Sequence, residues 1–171
     1  EICLVDRKTL LSRLKTYIYS VIEYTYANGY AETIYAWDVV NEAVDEGKDD
    51  GLRRSYLYRI IGDDFLYYCF LYAREAVETY APKYADQYGL DPNGDLSSIK
   101  PELYYNDYNE WFTKKVDTII DVLTGRQYNV GHRAVQSFVI NPDGDGTIYD
   151  NGLIDGIGLQ GHLTATDSLT S

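Results

Sequence analysis

A strand-like apolar run, Tyr35-Ala-Trp-Asp-Val-Val, ends abruptly in an amide beside a carboxylic acid, Asn41 and Glu42. A positioned carboxyl group is suited to general acid/base chemistry, giving or taking the proton of a reacting group. The amide beside it is suited to hold a ligand hydroxyl. Adjacent residues on a regular strand face opposite sides. Both side chains therefore reach one site only if the strand bends or ends there, as bulges near active sites allow. The plainer alternative makes Glu42 a loop or helix-start carboxylate facing water. Acid/base work of this kind usually needs a second carboxylate opposite the first, so the sequence poses the question of Glu42's partner.

Two other stretches end in polar side chains. Gln160 and His162 are two apart and share one strand face, with Gly156 and Gly158 on that face leaving room for a close approach. Such a pair can orient carboxylates by hydrogen bonding; the alternative is a structural histidine. In the run Glu102-Leu-Tyr-Tyr-Asn-Asp-Tyr-Asn109, Asn106 and Tyr108 share one face while Asp107 and Asn109 share the other. Trp111 follows and is placed either to stack on a ring or to anchor its loop; Trp37 reads as packing. His132 has no partner pattern. Asn141-Pro-Asp-Gly-Asp-Gly-Thr-Ile148 resembles the start of a calcium loop, but Gly152 stands where the bidentate glutamate belongs. A tight turn between two short extended runs is the simpler account.

The elements that must position these groups alternate. Apolar residues at helical spacing predict a helix over residues 10–26, stopped by Gly29. A buried strand over 33–40 follows, then an acidic glycine-flanked loop at 47–51. A long helical pattern runs over 55–80, ended by Pro82, and a polar turn-rich loop follows at 83–101. A second strand over 102–109 leads to a helix over 113–123, and a third strand covers 153–160. Strands alternating with helices imply parallel βα units, either a doubly wound sheet or part of a barrel. No glycine-rich phosphate fingerprint follows a strand, which disfavours a dinucleotide fold. Catalytic side chains of a (β/α)8 barrel collect at the C-terminal ends of several strands, and all three strands here end in polar residues.

Composition sets the outer bounds. The 171 residues are 45% hydrophobic and 25% charged, a globular balance with length for one ordinary domain. A net charge of −12 argues against nucleic acid, whose phosphates need Lys/Arg neutralisation. No apolar run is long enough to span a membrane, and no signal-peptide pattern opens the chain. The chain contains no methionine, which suggests a processed or excised piece. Nineteen tyrosines offer flat apolar faces with hydroxyls, suited to sugar rings but also to covering helices. Cys3 and Cys69 have no metal spacing; two free thiols are expected, with a bridge as the alternative.

WDVVNEA at 37–43, YYNDYN at 104–109 and LIDGIGLQGHL at 153–163, in that order, resemble the glycoside hydrolase family 10 endo-β-1,4-xylanases over residues 8–163. The resemblance implies an α/β fold, part of a TIM (β/α)8 barrel whose fourth to sixth strands these are. Residues 1–171 would be a partial catalytic domain with extended connections at 81–100 and 125–152. The second connection joins a helix to the next strand, on the barrel face away from catalysis. The resemblance also implies a retaining mechanism in which Glu42 is the acid/base and Asn41 binds a sugar 2-hydroxyl. Gln160 and His162 would support the acid/base and the nucleophile respectively, and Asp107, Tyr108 and Asn109 would line the cleft.

The family's nucleophile belongs to a Thr-Glu-Leu-Asp-like motif on the seventh strand, and these residues contain none. Retaining hydrolysis needs two carboxyl groups about 5–5.5 Å apart, so Glu42's partner is expected from outside this chain. Glu42 is accordingly expected to titrate as a nearly ordinary carboxylate. The implied partners are xylan or xylo-oligosaccharides and the remaining barrel segments, with no nucleic acid, membrane or cofactor and a secreted, extracellular location. The competing expectations are a non-catalytic carbohydrate-binding fragment and another retaining β-glycanase.

Overall fold

The first helix begins where Asp6 caps it, its carboxylate accepting the Thr9 N–H at 2.8 Å. This helix, α1, covers Arg7–Ala27 and stops at Asn28 and the left-handed Gly29. The structure, a computed structural model, describes residues 5–124, 139–140, 148–149 and 152–162. Strand β1 is Ala36–Asn41, and a tight loop then leads to α2, Tyr56–Ile61, capped by Ser55.

One long helix is expected over 55–80, but the chain forms two. Gly62 adopts φ +114, a backbone that ends α2 before α3 begins at Phe65. Pro82 does not end α3, which runs Phe65–Tyr84 with the proline in its last turn. A proline there removes one backbone N–H while its φ remains helical, so the chain passes through it into a 3-10 turn, Ala85–Tyr88. The left-handed Gly89 then closes the helical run. A second 3-10 turn, Ser97–Ile99, lies within the polar loop.

Strand β2 covers Glu102–Asp107 and α4 covers Thr113–Thr124. Within the second extended connection, β3 (Val139–Ile140) and β4 (Ile148–Tyr149) pair antiparallel, the arrangement expected of a turn between them. The other positions of the calcium-like stretch before Gly152 lie outside the described residues, as do His132 and Cys3. Among the described residues no group of His, Cys, Asp and Glu is arranged to hold a metal. Cys69 is a free thiol, and burial pushes its pKa up to about 12.

Strand β5, Gly156–Leu159, completes a parallel sheet in the order β1-β2-β5. The order matches consecutive strands of a barrel, and β1 and β5 are its edges. Helix α3 packs against both α1 and the sheet. It is buried nearly all round from Phe65 to Ala73, which is why its sequence lacks a polar stripe. Tyrosines fill much of this core: Tyr26, Tyr67 and Tyr105 are fully buried. Tyr26 keeps its hydroxyl satisfied by donating to the Ile99 carbonyl at 2.8 Å. No helix among the described residues is long and apolar enough to cross a membrane.

The alternation of β2 sorts its residues into two layers. Leu103, Tyr105 and Asp107 are buried, whereas Tyr104 and Asn106 are half-buried on the other face. The room left by the two glycines of β5 is taken by β2 itself. A methyl group on Gly156 would lie 1.8 Å from Tyr104 Cε1, and one on Gly158 would lie 2.6 Å from Asn106 Oδ1.

Candidate active site

The turn that carries Glu42 is shaped by two departures from regular strand geometry. The pairing of β1 with β2 slips at Val39, so Asp38 faces Tyr104 while Val40 faces Tyr105. The chain then turns into the left-handed region at Glu42, φ +54. Glu42 N–H still bonds the Asn106 carbonyl at 2.8 Å, so the turn remains tied to the sheet. This is the bend required for Asn41 and Glu42 to face one site. A non-glycine residue held at positive φ costs free energy that the surroundings must offset.

The offset comes from below. The Tyr105 hydroxyl accepts the N–H groups of Ala43 and Val44, both at 3.0 Å, and donates to the Asp107 carboxylate. Lys115, also buried, donates to the Val44 carbonyl at 2.8 Å and lies 3.0 Å from Asp107 Oδ1. Burial beside Asp107 pushes the Tyr105 hydroxyl well above its usual pKa, so it stays protonated as a donor. Asp107 therefore does not line a cleft. Its carboxylate is fully buried, because its inward direction on β2 points it at the core.

Above the sheet, three strand ends converge. Gln160 Nε2 donates to Asn41 Oδ1 at 2.8 Å and to Glu42 Oε1 at 3.0 Å. Asn106 Nδ2 also donates to Asn41 Oδ1, at 3.0 Å. His162 Nε2 lies 2.7 Å from Gln160 Oε1, which fixes the direction of the Gln160 amide. The Gln160 N–H bonds the Asp107 carbonyl at 3.0 Å, extending the parallel ladder past the strand end. With its oxygen taken by two amides, Asn41 has only its NH2 to present outward.

The other Glu42 oxygen meets a cation. Arg53 Nη1 lies 3.2 Å from Glu42 Oε2, and Nη2 donates to the Tyr108 hydroxyl at 2.9 Å. Hydrogen bonds from Gln160, then from Arg53 with its charge, lower the Glu42 pKa below the ordinary glutamate value. The expectation of a nearly ordinary carboxylate is thereby corrected, since it considered only the absent second acid and not these donors. Asn109 sits at the turn after β2 with φ +62, its carbonyl accepting the Phe112 N–H at 3.0 Å. Trp111 packs beside Phe112, ring centroids 5.6 Å apart, and Trp37 packs against the core as expected.

Of the seven candidate residues, Asn41, Glu42, Gln160 and His162 form one bonded cluster, Tyr108 joins it through Arg53, and Asp107 supports it from beneath. Sequence reasoning missed Arg53, which follows an acidic loop and reads as solvated charge. The loop closes on itself: Val44 and Leu52 bridge antiparallel, and Arg53 N–H bonds the Ala43 carbonyl at 2.8 Å. The apolar Val44 and Leu52 flanking that loop, both fully buried, were the available signal.

The Glycosyl hydrolase family 10 profile matches residues 3–171, and the chain belongs to that family. It is 34% identical over 165 residues to endo-1,4-beta-xylanase A of Thermotoga neapolitana, covering 96% of this chain and 11% of that protein. It is 33% identical over 160 residues to endo-1,4-beta-xylanase B of Butyrivibrio fibrisolvens, covering 94% of this chain and 18% of that one. Among solved structures it resembles a xylanase from Paenibacillus barcinonensis complexed with a conduramine derivative (TM-score 0.57, 30% identity, 92% of this chain, 34% of that one). It also resembles a mutant of an intracellular xylanase from Thermoanaerobacterium saccharolyticum in complex with xylotriose (TM-score 0.57, 28% identity, 91% and 35%). The chain thus spans between 11% and 35% of these relatives. Its parallel strands and helices are a part of the family's α/β barrel.

Proposed function

We propose that this segment of a family 10 domain carries the acid/base half of an endo-β-1,4-xylanase active site. Glu42 is the group that protonates the departing glycosidic oxygen and then activates water, in a retaining mechanism. The single observation that carries the reading is the convergence of Asn41 and Glu42 from the end of β1 and Gln160 from the end of β5 onto one bonded cluster. Curated relatives named endo-1,4-beta-xylanases support the substrate class, as do solved relatives holding xylotriose.

In this mechanism Asn41 donates its amide to a sugar hydroxyl. Gln160 orients Glu42, and His162 fixes the Gln160 amide. Tyr108 and Asn109 form the adjoining wall. The second carboxylate comes from outside this chain, with the remaining barrel strands pairing along β1 and β5. Its arrival raises the Glu42 pKa by like-charge repulsion, opposing the donors that lower it. The whole enzyme acts outside the cell, where polymeric xylan is met, although the Thermoanaerobacterium saccharolyticum relative is intracellular; detection in culture medium rather than in lysed cells would check this.

The test is release of reducing ends from β-1,4-xylan by the purified chain, and by a chimera carrying residues 5–162 in place of the matching segment of the Paenibacillus barcinonensis xylanase. The chain alone should be inactive, whereas the chimera should cleave xylan and lose that activity on Glu42→Gln. Glu42-dependent cleavage by the chain alone would overturn the external second carboxylate. A folded chimera that binds xylan without cleaving it would favour a carbohydrate-binding role instead.

A further inference from the structure

Arg53 is the one cation bonded to Glu42 among the described residues, and the loop that delivers it is built with care. Residues 45–51 leave the strand end and return to it, with the Asp45 N–H bonded to the Gly51 carbonyl at 2.9 Å. The return sets Arg53 beside Ala43, one residue past Glu42. From there its guanidinium reaches two different strand ends, Glu42 after β1 and Tyr108 after β2. We propose that Arg53 is a positioning residue that clamps Glu42 to Tyr108 and sets how readily Glu42 takes a proton.

The donors and acceptors around Glu42 decide which neighbour moves. Glu42 Oε1 faces the Gln160 amide N–H and Oε2 faces a guanidinium N–H. Each oxygen keeps a second lone pair on which a proton can sit, but both donors favour the charged carboxylate, so the acid form is easier to reach when one neighbour lets go. The Gln160 amide is held by Asn41 on its nitrogen and by His162 on its oxygen. Arg53 is less bound: its bond to Glu42 is long at 3.2 Å, and its side chain is 39% exposed. It also has a second resting place, since Nη2 already bonds the Tyr108 hydroxyl and the guanidinium lies 5.6 Å from that ring's centroid. Arg53 is therefore the group that yields. Shifted towards Tyr108 it gives up part of its hold on the carboxylate and makes the acid form easier to reach; returned to Glu42 it favours the carboxylate needed to activate water.

The other titratable groups around Glu42 act through intermediaries. His162 touches Gln160, and Glu110 accepts the Gln160 N–H at 3.3 Å. Lys115 lies 4.9 Å from the Tyr108 ring centroid and bonds Asp107, while Glu46 is 3.7 Å from Lys115. Arg53 alone among these has a hydrogen bond to the Glu42 carboxylate.

This inference rests on the proposed acid/base role for its meaning in catalysis, but its test does not. The Glu42 carboxyl carbon, assigned with Glu42→Gln, is titrated by NMR in the 171-residue chain. Arg53→Met should raise the titration midpoint by about one pH unit, and Arg53→Lys, which keeps charge without bridging, should fall between. Tyr108→Phe removes the resting place, leaves Arg53 on Glu42 and should lower the midpoint. In the active chimera, Arg53→Met should move the alkaline limb of kcat/KM upward. An unmoved midpoint in folded Arg53→Met, or in Tyr108→Phe if the first variant does not fold, overturns the proposal. An inactive chimera with the midpoint shifts intact would instead overturn only the catalytic reading.

Discussion

Lys115 and Asp107 meet at 3.0 Å in the core directly beneath the turn that carries Glu42, one side chain 1% exposed and the other 0%. Such a pair lends little net stability compared with an apolar pair of the same shape, yet removing one partner leaves a buried charge uncompensated. Lys115→Met should therefore cost about 3–5 kcal/mol, read as a lowered urea midpoint with an unchanged slope. A loss below about 1 kcal/mol would mean that water reaches Asp107.

Tyr105→Phe tests the same network from its other end. It strips two backbone N–H groups and the Asp107 carboxylate of one shared hydroxyl. The cost should be at least about 2 kcal/mol, with faster hydrogen exchange at the Ala43 and Val44 amides. Unchanged exchange there would show that the left-handed turn at Glu42 holds without the hydroxyl.

Gly158→Ala places a methyl group 2.6 Å from Asn106 Oδ1 and should drive that side chain off Asn41. Overpacking of this kind costs about 1–3 kcal/mol. The Asn41 and Asn106 side-chain amide resonances should move together, and Gln160 should keep its contact with Glu42. If the Asn41 signals stay in place, the glycine is not what admits Asn106.

The acid dependence of stability follows from several carboxylates whose pKa values are lowered in the fold. The Thr9 N–H lowers Asp6, Lys83 lowers Glu23, Gln160 lowers Glu42 and the Ser97 N–H lowers Asp95. At Asp50 burial acts upward, but hydrogen bonds from Arg54 and Tyr58 outweigh it. A lowered folded-state pKa gives stability that is complete above the unfolded value, about pH 4, and is lost as pH falls through the folded value. The urea midpoint should be level at neutral pH and decline below about pH 4. A midpoint that rises on acidification would mean that relief of the −12 net charge dominates instead.

The order of elements, the parallel alternation and most of the residues that meet above the sheet are legible in the sequence. These are local properties: a period of two or near four in apolar residues, a polar ending to each strand, and motifs whose spacing survives without coordinates. It misjudged the helix break at Gly62 and the passage through Pro82, because both depend on which backbone angles the neighbouring packing selects. Tertiary structure alone decided what each polar side chain bonds. Asp107 turned inward because the alternation of β2 put it in the buried layer with Tyr105, where Lys115 from α4 could meet it. Arg53 reached Glu42 because a loop closed between Val44 and Leu52, and the glycines of β5 admitted β2 rather than a ligand. Each of these pairings joins residues far apart in sequence or set by a loop's closure. Their energy depends on distance and burial, which the order of residues along the chain does not contain.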